Sequence, residues 1–337
     1  NSCYWQLFKR KLPGNILLSA YYTPVTIQEL ATELGVAVVY LEDEIELLMK
    51  HDMIKKIGEK YQTNIIIFTD SYEKELAEKI KPVYEKAAER FNEKLSELLP
   101  TLQSLDFKGN DYNYNRLKWT FANLTMVFAI NLSDGIGRKR FGDYPLLSNG
   151  CYGFVFGYDN DYKHHHFHGI YGHCENSDHT AYFSVENYRI IEKCQFWEPV
   201  NFIQSVEAMC DAILEKKANL NNDMLLRLID EGFIATQDGK LSAEFPVFSS
   251  EMIDGIIWQL LKPLAEEVCD CIIQICDTAD QILKNYIPKA LLPQSAQLAF
   301  IHHQMDVMAF IIETMVGKNQ LVIPVKNEKL CVFGVKR

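Results

Sequence analysis

The chain has 337 residues, with 34 Lys and Arg against 45 Asp and Glu, a net charge of −11 at pH 7, and 48% hydrophobic content including 12% aromatics. That apolar content excludes wholesale disorder, and the length predicts two or three domains. The acidity argues against nonspecific coating of nucleic acid, no apolar run reaches the ~18 residues of a membrane helix, and the nine cysteines contain no CxxC pair, so a soluble cytoplasmic chain with reduced thiols is expected.

The chain begins at Asn1 without a methionine, and further residues upstream are expected. Asn15 to Tyr21 predicts a short apolar helix. Thr26 caps a second helix from Ile27 to Leu34, with Glu29 at the N3 position of a capping box. Gly35 supplies the left-handed residue that ends it. A third helix runs from about Val38 to Lys50, followed by strands Met53 to Ile57 and Tyr61 to Phe68 around a turn at Gly58, Glu59 and Lys60. This order resembles the winged helix-turn-helix family of transcription regulators. More loosely, Thr26-Ile-Gln-Glu-Leu-Ala-Thr-Glu-Leu-Gly-Val36 with Tyr40-Leu-Glu-Asp-Glu-Ile-Glu-Leu-Leu48 resembles the winged segment of some Firmicutes sigma-70-like regulatory proteins. The resemblance covers residues 15–68 and implies a bacterial transcription regulator that binds DNA or associates with it.

In that family the third helix enters the major groove. Here it carries Glu42, Asp43, Glu44 and Glu46 against Lys50, and residues 1–70 hold seven Lys and Arg against nine Asp and Glu. Phosphates repel such a helix, and Ala37, Val38 and Val39 offer little to base edges. DNA contact is therefore expected at Lys55, Lys56 and Lys60 of the wing, with Tyr40 at the start of the third helix. The alternative is a winged helix that has lost DNA binding and serves as a protein-interaction module.

Asp70 and Ser71 open a long charged helix reaching about Leu99, with apolar residues at Leu76, Ile80, Val83, Ala87, Phe91, Leu95, Leu98 and Leu102 and a kink or fresh start at Pro82. Residues 71–105 read as a helical connector whose stripe either packs on the chain's own core or joins a protein partner or second copy. A turn-rich boundary at residues 106–115 precedes a buried helix, Leu117 to Leu132. The texture then changes to aromatic strands at Cys151 to Tyr158, His166 to Tyr171 and Thr180 to Val185. From residue 201 the chain returns to helices, Phe202 to Lys217 and Asn222 to Asp230, and Asp238-Gly239 marks a hairpin. A long helix, Ser250 to Ile287, kinks at Pro263. After a helix from Ala299 to Val316, strands Leu321 to Val325 and Lys329 to Phe333 flank a turn. Helix-then-hairpin grammar thus recurs in the last third as a pattern, without an evident residue-level repeat. The fold expected is α+β: a winged helix at 1–70, the connector at 71–105, a mixed antiparallel sheet domain at 106–200 and a helical domain with wing-like hairpins at 201–337.

One constellation suggests chemistry. His164, His166 and His168 share a strand face, and His173 and Cys174 follow, which are ligand types for a borderline metal. The run lacks any standard ligand spacing, so no metal and no cofactor is expected; a metal-dependent enzyme built on His164 to His179 is the further alternative to a non-enzymatic regulator. Tyr158, His166, His168, Tyr171 and Trp197 are the candidates for a small-molecule effector pocket. His302 and His303 read as core-edge residues of an apolar helix. No membrane partner is expected.

Overall fold

The structure, a computed structural model, describes residues 7–147, 150, 153–159, 172–185, 202–219, 223–323 and 332–337. Helix α1 (Lys11–Ser19) starts earlier than the apolar pattern indicates, because Pro13 is tolerated in a first turn, where its missing N–H has no intrahelical role. The Thr26 hydroxyl accepts the Glu29 N–H at 3.2 Å and the Glu29 carboxylate accepts the Thr26 N–H at 2.6 Å, so α2 (Ile27–Leu34) opens on the expected capping box. Gly35 closes it with a left-handed φ of 64°. Helix α3 (Val38–Lys50) buries Leu41, Ile45 and Leu48, which with Ile16, Leu17 and Leu30 make a small three-helix core.

Strands β1 (Ile54–Ile57) and β2 (Lys60–Thr63) form an antiparallel hairpin, with Ile54 opposite Thr63 and Ile57 opposite Lys60. The expected second strand is divided. Its end becomes β3 (Ile66–Phe68), which leaves the hairpin to pair in parallel with β4 (Phe156–Tyr158). The reason lies in the unbroken apolar run from Ile65 to Phe68: all four residues are buried, and a continuous run suits a strand covered on both faces rather than half of an alternating hairpin.

Helix α4 (Asp70–Gln103) runs through both Pro82 and Pro100, so no fresh start occurs at Pro82. Of its expected apolar stripe Leu76, Ile80, Phe91, Leu95 and Leu102 are buried, while Val83, Ala87 and Leu98 are half-buried. Helix α5 (Tyr114–Phe141) follows, then β5 (Gly172–Glu175), β6 (Ala181–Val185), α6 (Phe202–Ile213), α7 (Asp223–Asp230), β7 (Ile234–Gln237), β8 (Lys240–Ala243) and β9 (Val247–Ser249). Helices α8 (Trp258–Leu283) and α9 (Leu292–Gly317) and strand β10 (Val332–Lys336) complete the mixed α+β fold. A four-stranded sheet runs in the order β5-β6-β10-β9, with β10 antiparallel to β6 and parallel to β9. Of the C-terminal hairpin expected from Leu321 onward, Leu321 to Ile323 form no strand and residues 324–331 lie outside the described residues, while β10 pairs with β6 and β9. No helix among the described residues is long and apolar enough to cross a membrane.

Two compact units emerge, residues 1–80, 136–164 and 275–303 in the first and residues 81–135, 165–274 and 304–337 in the second. The boundary falls inside α4, α5, α8 and α9. The first unit holds α1 to α3, the β1–β2 hairpin and the β3–β4 pair. The second holds the four-stranded sheet, α6, α7 and the β7–β8 hairpin, around a core that includes Phe183, Met209, Leu228, Phe233 and Phe245.

The recurring grammar has a residue-level basis, a finding that goes beyond the pattern seen in the sequence. After α3, Met53 N–H donates to Leu48 O and Asn64 N–H to Met53 O; after α7, Phe233 N–H donates to Leu228 O and Glu244 N–H to Phe233 O. Asp52 and Gly232 hold matching left-handed turns, φ 59° and 76°. The hairpins share register, Ile54 opposite Thr63 and Ile234 opposite Ala243. Each is followed by a short strand paired in parallel with a late one: Phe68 opposite Tyr158, Phe248 opposite Val335. Those late strands read Val155-Phe-Gly-Tyr158 and Val332-Phe-Gly-Val335. Lys81-Pro82 with an ion pair from Lys81 to Glu85 matches Lys262-Pro263 with one from Lys262 to Glu266. Met126-Val-Phe-Ala-Ile130 and Gly135 match Met308-Ala-Phe-Ile-Ile312 and Gly317. A π-helical turn, Ile253–Ile257, takes up the one extra residue between Phe248 and Pro263.

Candidate functional site

The hairpin and α3 place the residues expected at DNA. Lys55 is half-buried, Lys56 and Lys60 are exposed, and Lys56 Nζ lies 5.7 Å from the Tyr61 ring centroid. Consecutive strand residues point to opposite faces, so Lys55 and Lys56 do not act from one side. Tyr40 is 65% exposed in the first turn of α3, next to Val39 at 59%. The acids of α3 divide into two sets. Glu44 is buried and gripped by the Arg10 guanidinium, whose Nη2 donates to its Oε2 at 3.1 Å while Nη1 donates to Oε1. Glu42, Asp43 and Glu46 remain exposed on the outward side. A bidentate arginine neutralises one acid of the helix and leaves three facing outward.

A second cluster lies in the first unit, and sequence reasoning missed it. The Thr69 hydroxyl accepts the Tyr72 N–H at 3.3 Å and starts α4 so that Tyr72 and Glu73 are buried in its first turn. His302 and His303 reach the same place from α9. Glu73, His302 and His303 each offer a ligand atom, and these atoms all lie within 4.8 Å of one another. Glu73 Oε1 is 3.9 Å from His302 Nε2, and both side chains are under a tenth exposed. Tyr72 Oη and His303 Nε2 are 2.7 Å apart. His303 is 1% exposed, so it is a fully interior residue rather than a core-edge one. Burial pushes its imidazole down to about 3, which makes it neutral at pH 7. His302 stacks on Phe68 with ring centroids 4.2 Å apart and an interplanar angle of 19°.

Of the expected pocket residues, Tyr158 joins this cluster: its Oη is 3.5 Å from His302. His164, His166, His168, Tyr171 and Trp197 lie outside the described residues. His173 and Cys174 form part of β5, opposite Ser184 and Phe183, but their side chains are outside the described set.

The internal repeat supplies a comparison. In the second unit Phe248 meets Phe333 at 6.3 Å and Phe121 at 5.9 Å between centroids. In the first unit Phe68 meets Phe156 at 5.7 Å and His303 at 6.0 Å. The matched stretches put His302 and His303 where the other copy has Thr120 and Phe121, and Tyr158 where it has Val335. One copy closes this place with phenyl rings, a valine and the Thr120 hydroxyl; the other fills it with two imidazoles, a carboxylate and two phenols.

Comparison of the chain with protein-family models, with curated proteins and with solved structures finds no match.

Proposed function

We propose that the chain is a transcription-associated regulator whose α1–α3 and β1–β2 form a winged helix-turn-helix that touches duplex DNA through its wing. The observation that carries this reading is the capped α2, left-handed Gly35 and α3 leading directly into a hairpin with Lys56 and Lys60 exposed near its turn. Outward Glu42, Asp43 and Glu46 keep α3 out of a phosphate-lined groove, so the lysines carry the contact and read backbone rather than bases. Binding of the full chain to a duplex, followed by fluorescence anisotropy across a salt series, tests it. Lys55→Ala, Lys56→Ala and Lys60→Ala together should weaken binding on every duplex and reduce the salt slope by about one unit per lost contact. An unchanged affinity and slope in the triple variant removes the reading.

A second reading follows from the α3 surface itself. Val39 and Tyr40 are exposed apolar groups flanked by outward acids. That composition suits a basic protein partner better than DNA. A parent chain that fails to bind any duplex favours this reading.

A further inference from the structure

We propose that Glu73 at the start of α4 and His302 and His303 in the middle of α9 form a binding site for a divalent first-row transition ion such as zinc. The site is independent of any DNA contact made by the hairpin. Two imidazole nitrogens and one carboxylate are the donor types that borderline divalent ions prefer. Their ligand atoms already lie within 4.8 Å of one another. An ion about 2.0–2.2 Å from each donor requires separations of roughly 3–3.5 Å, so the donors close by about an ångström on binding. His303 Nε2 lies 2.7 Å from Tyr72 Oη, so in the tautomer that carries the proton on Nε2 the hydroxyl accepts it and Nδ1 is left for the ion, the arrangement in which a ligating imidazole is oriented by its other nitrogen. The stack on Phe68 orients the His302 ring in the same way.

The second copy of the fold supplies the independent observation. Thr120 and Phe121 occupy the matching positions there, and the aromatic cluster of Phe107, Phe121, Phe248 and Phe333 closes that place without a histidine. Packing alone therefore does not call for the histidine pair. A carboxylate buried beside two imidazoles is an arrangement that a bound cation stabilises directly. Three protein donors leave coordination positions for water or a further ligand.

The test uses the full chain stripped of metal with a chelator and titrated with Co2+ as a spectroscopic probe, then with Zn2+ in competition. One Co2+ per chain with visible ligand-field bands, displaced by Zn2+, is the expected result. Glu73→Gln and His303→Phe should each abolish the bands. His303→Phe should keep its circular dichroism and melting behaviour, because phenylalanine fills the matching position in the other copy. Tyr72→Phe should weaken binding about 10- to 100-fold while leaving its stoichiometry. The proposal is overturned if the parent shows no bands, if the bands survive in both ligand variants, or if they vanish only when His166 and His168 are replaced by alanine.

Discussion

His303 carries an imidazole into an interior that its counterpart Phe121 fills with a phenyl ring, and that exchange has a pH signature. The folded imidazole is held at about 3 against an ordinary 6.5. Because the folded value is the lower one, the unfolded chain takes up the proton first. The stability tied to neutral His303 is complete above about pH 6.5 and is lost as the pH falls toward 3. Urea unfolding of metal-free protein at stepped pH should show stability falling by up to ~1.4 kcal/mol per pH unit in that window from this group. The same series on His303→Phe should lack that component; an identical pH dependence in both proteins refutes the assignment. Arg10 and Glu44 show another strategy, in which a guanidinium grips both oxygens of a buried carboxylate.

Among the elements, α2 and α4 depend on different forces. Helix α2 spans eight residues and buries one of them, Leu30, so its end chemistry counts for much of its stability. Thr26→Ala removes the acceptor for the Glu29 N–H and should cost ~1 kcal/mol in chemical denaturation. A loss indistinguishable from zero would mean that the cap is redundant with the Gly35 turn. Helix α4 instead rests on its buried stripe, which is why Pro82 and Pro100 can lie within its assigned length. Phe91 is 2% exposed, and Phe91→Asp would place an unpaired carboxylate there, at a cost of about 3 kcal/mol or more. Thermal melting should fall sharply for this variant. A parent-like melting curve would show that the position tolerates solvent.

On the scale of the whole molecule, the two copies of the repeat are built alike but packed differently. A Cβ at Gly334 would come within 2.8 Å of the Ile213 side chain and 3.0 Å of Phe245, whereas one at Gly157, its partner in the Val-Phe-Gly match, meets Ile67 at an ordinary 3.7 Å. Gly334→Ala should therefore destabilise the protein by ~1–3 kcal/mol through overpacking, and Gly157→Ala by much less. Equal effects on denaturant midpoints would contradict this asymmetry. Gly157 belongs to the copy that holds Tyr158 and the Glu73, His302 and His303 cluster.

Features set by neighbours a few residues apart were legible in the chain itself. The Thr26–Glu29 box, the Gly35 turn, the extent of α3 and the hairpin at Asp238-Gly239 each follow from short-range sterics and hydrogen bonds, and each is found where the pattern placed it. The sequence put Lys55, Lys56, Lys60 and Tyr40 forward as DNA contacts; Lys56, Lys60 and Tyr40 are exposed and Lys55 is half-buried. Tertiary structure alone decided the rest. Ile66–Phe68 abandons its hairpin because its parallel partner lies at Phe156–Tyr158, and β10 finds its partners in β6 and β9. Glu73 meets His302 and His303 only once α4 and α9 pack, so no local spacing could announce the cluster. The residue-level repeat stayed hidden for a related reason: the π-helical turn at Ile253–Ile257 and connections of unequal length shift its phase, and a fixed-period comparison loses a similarity that paired strands and shared hydrogen bonds preserve.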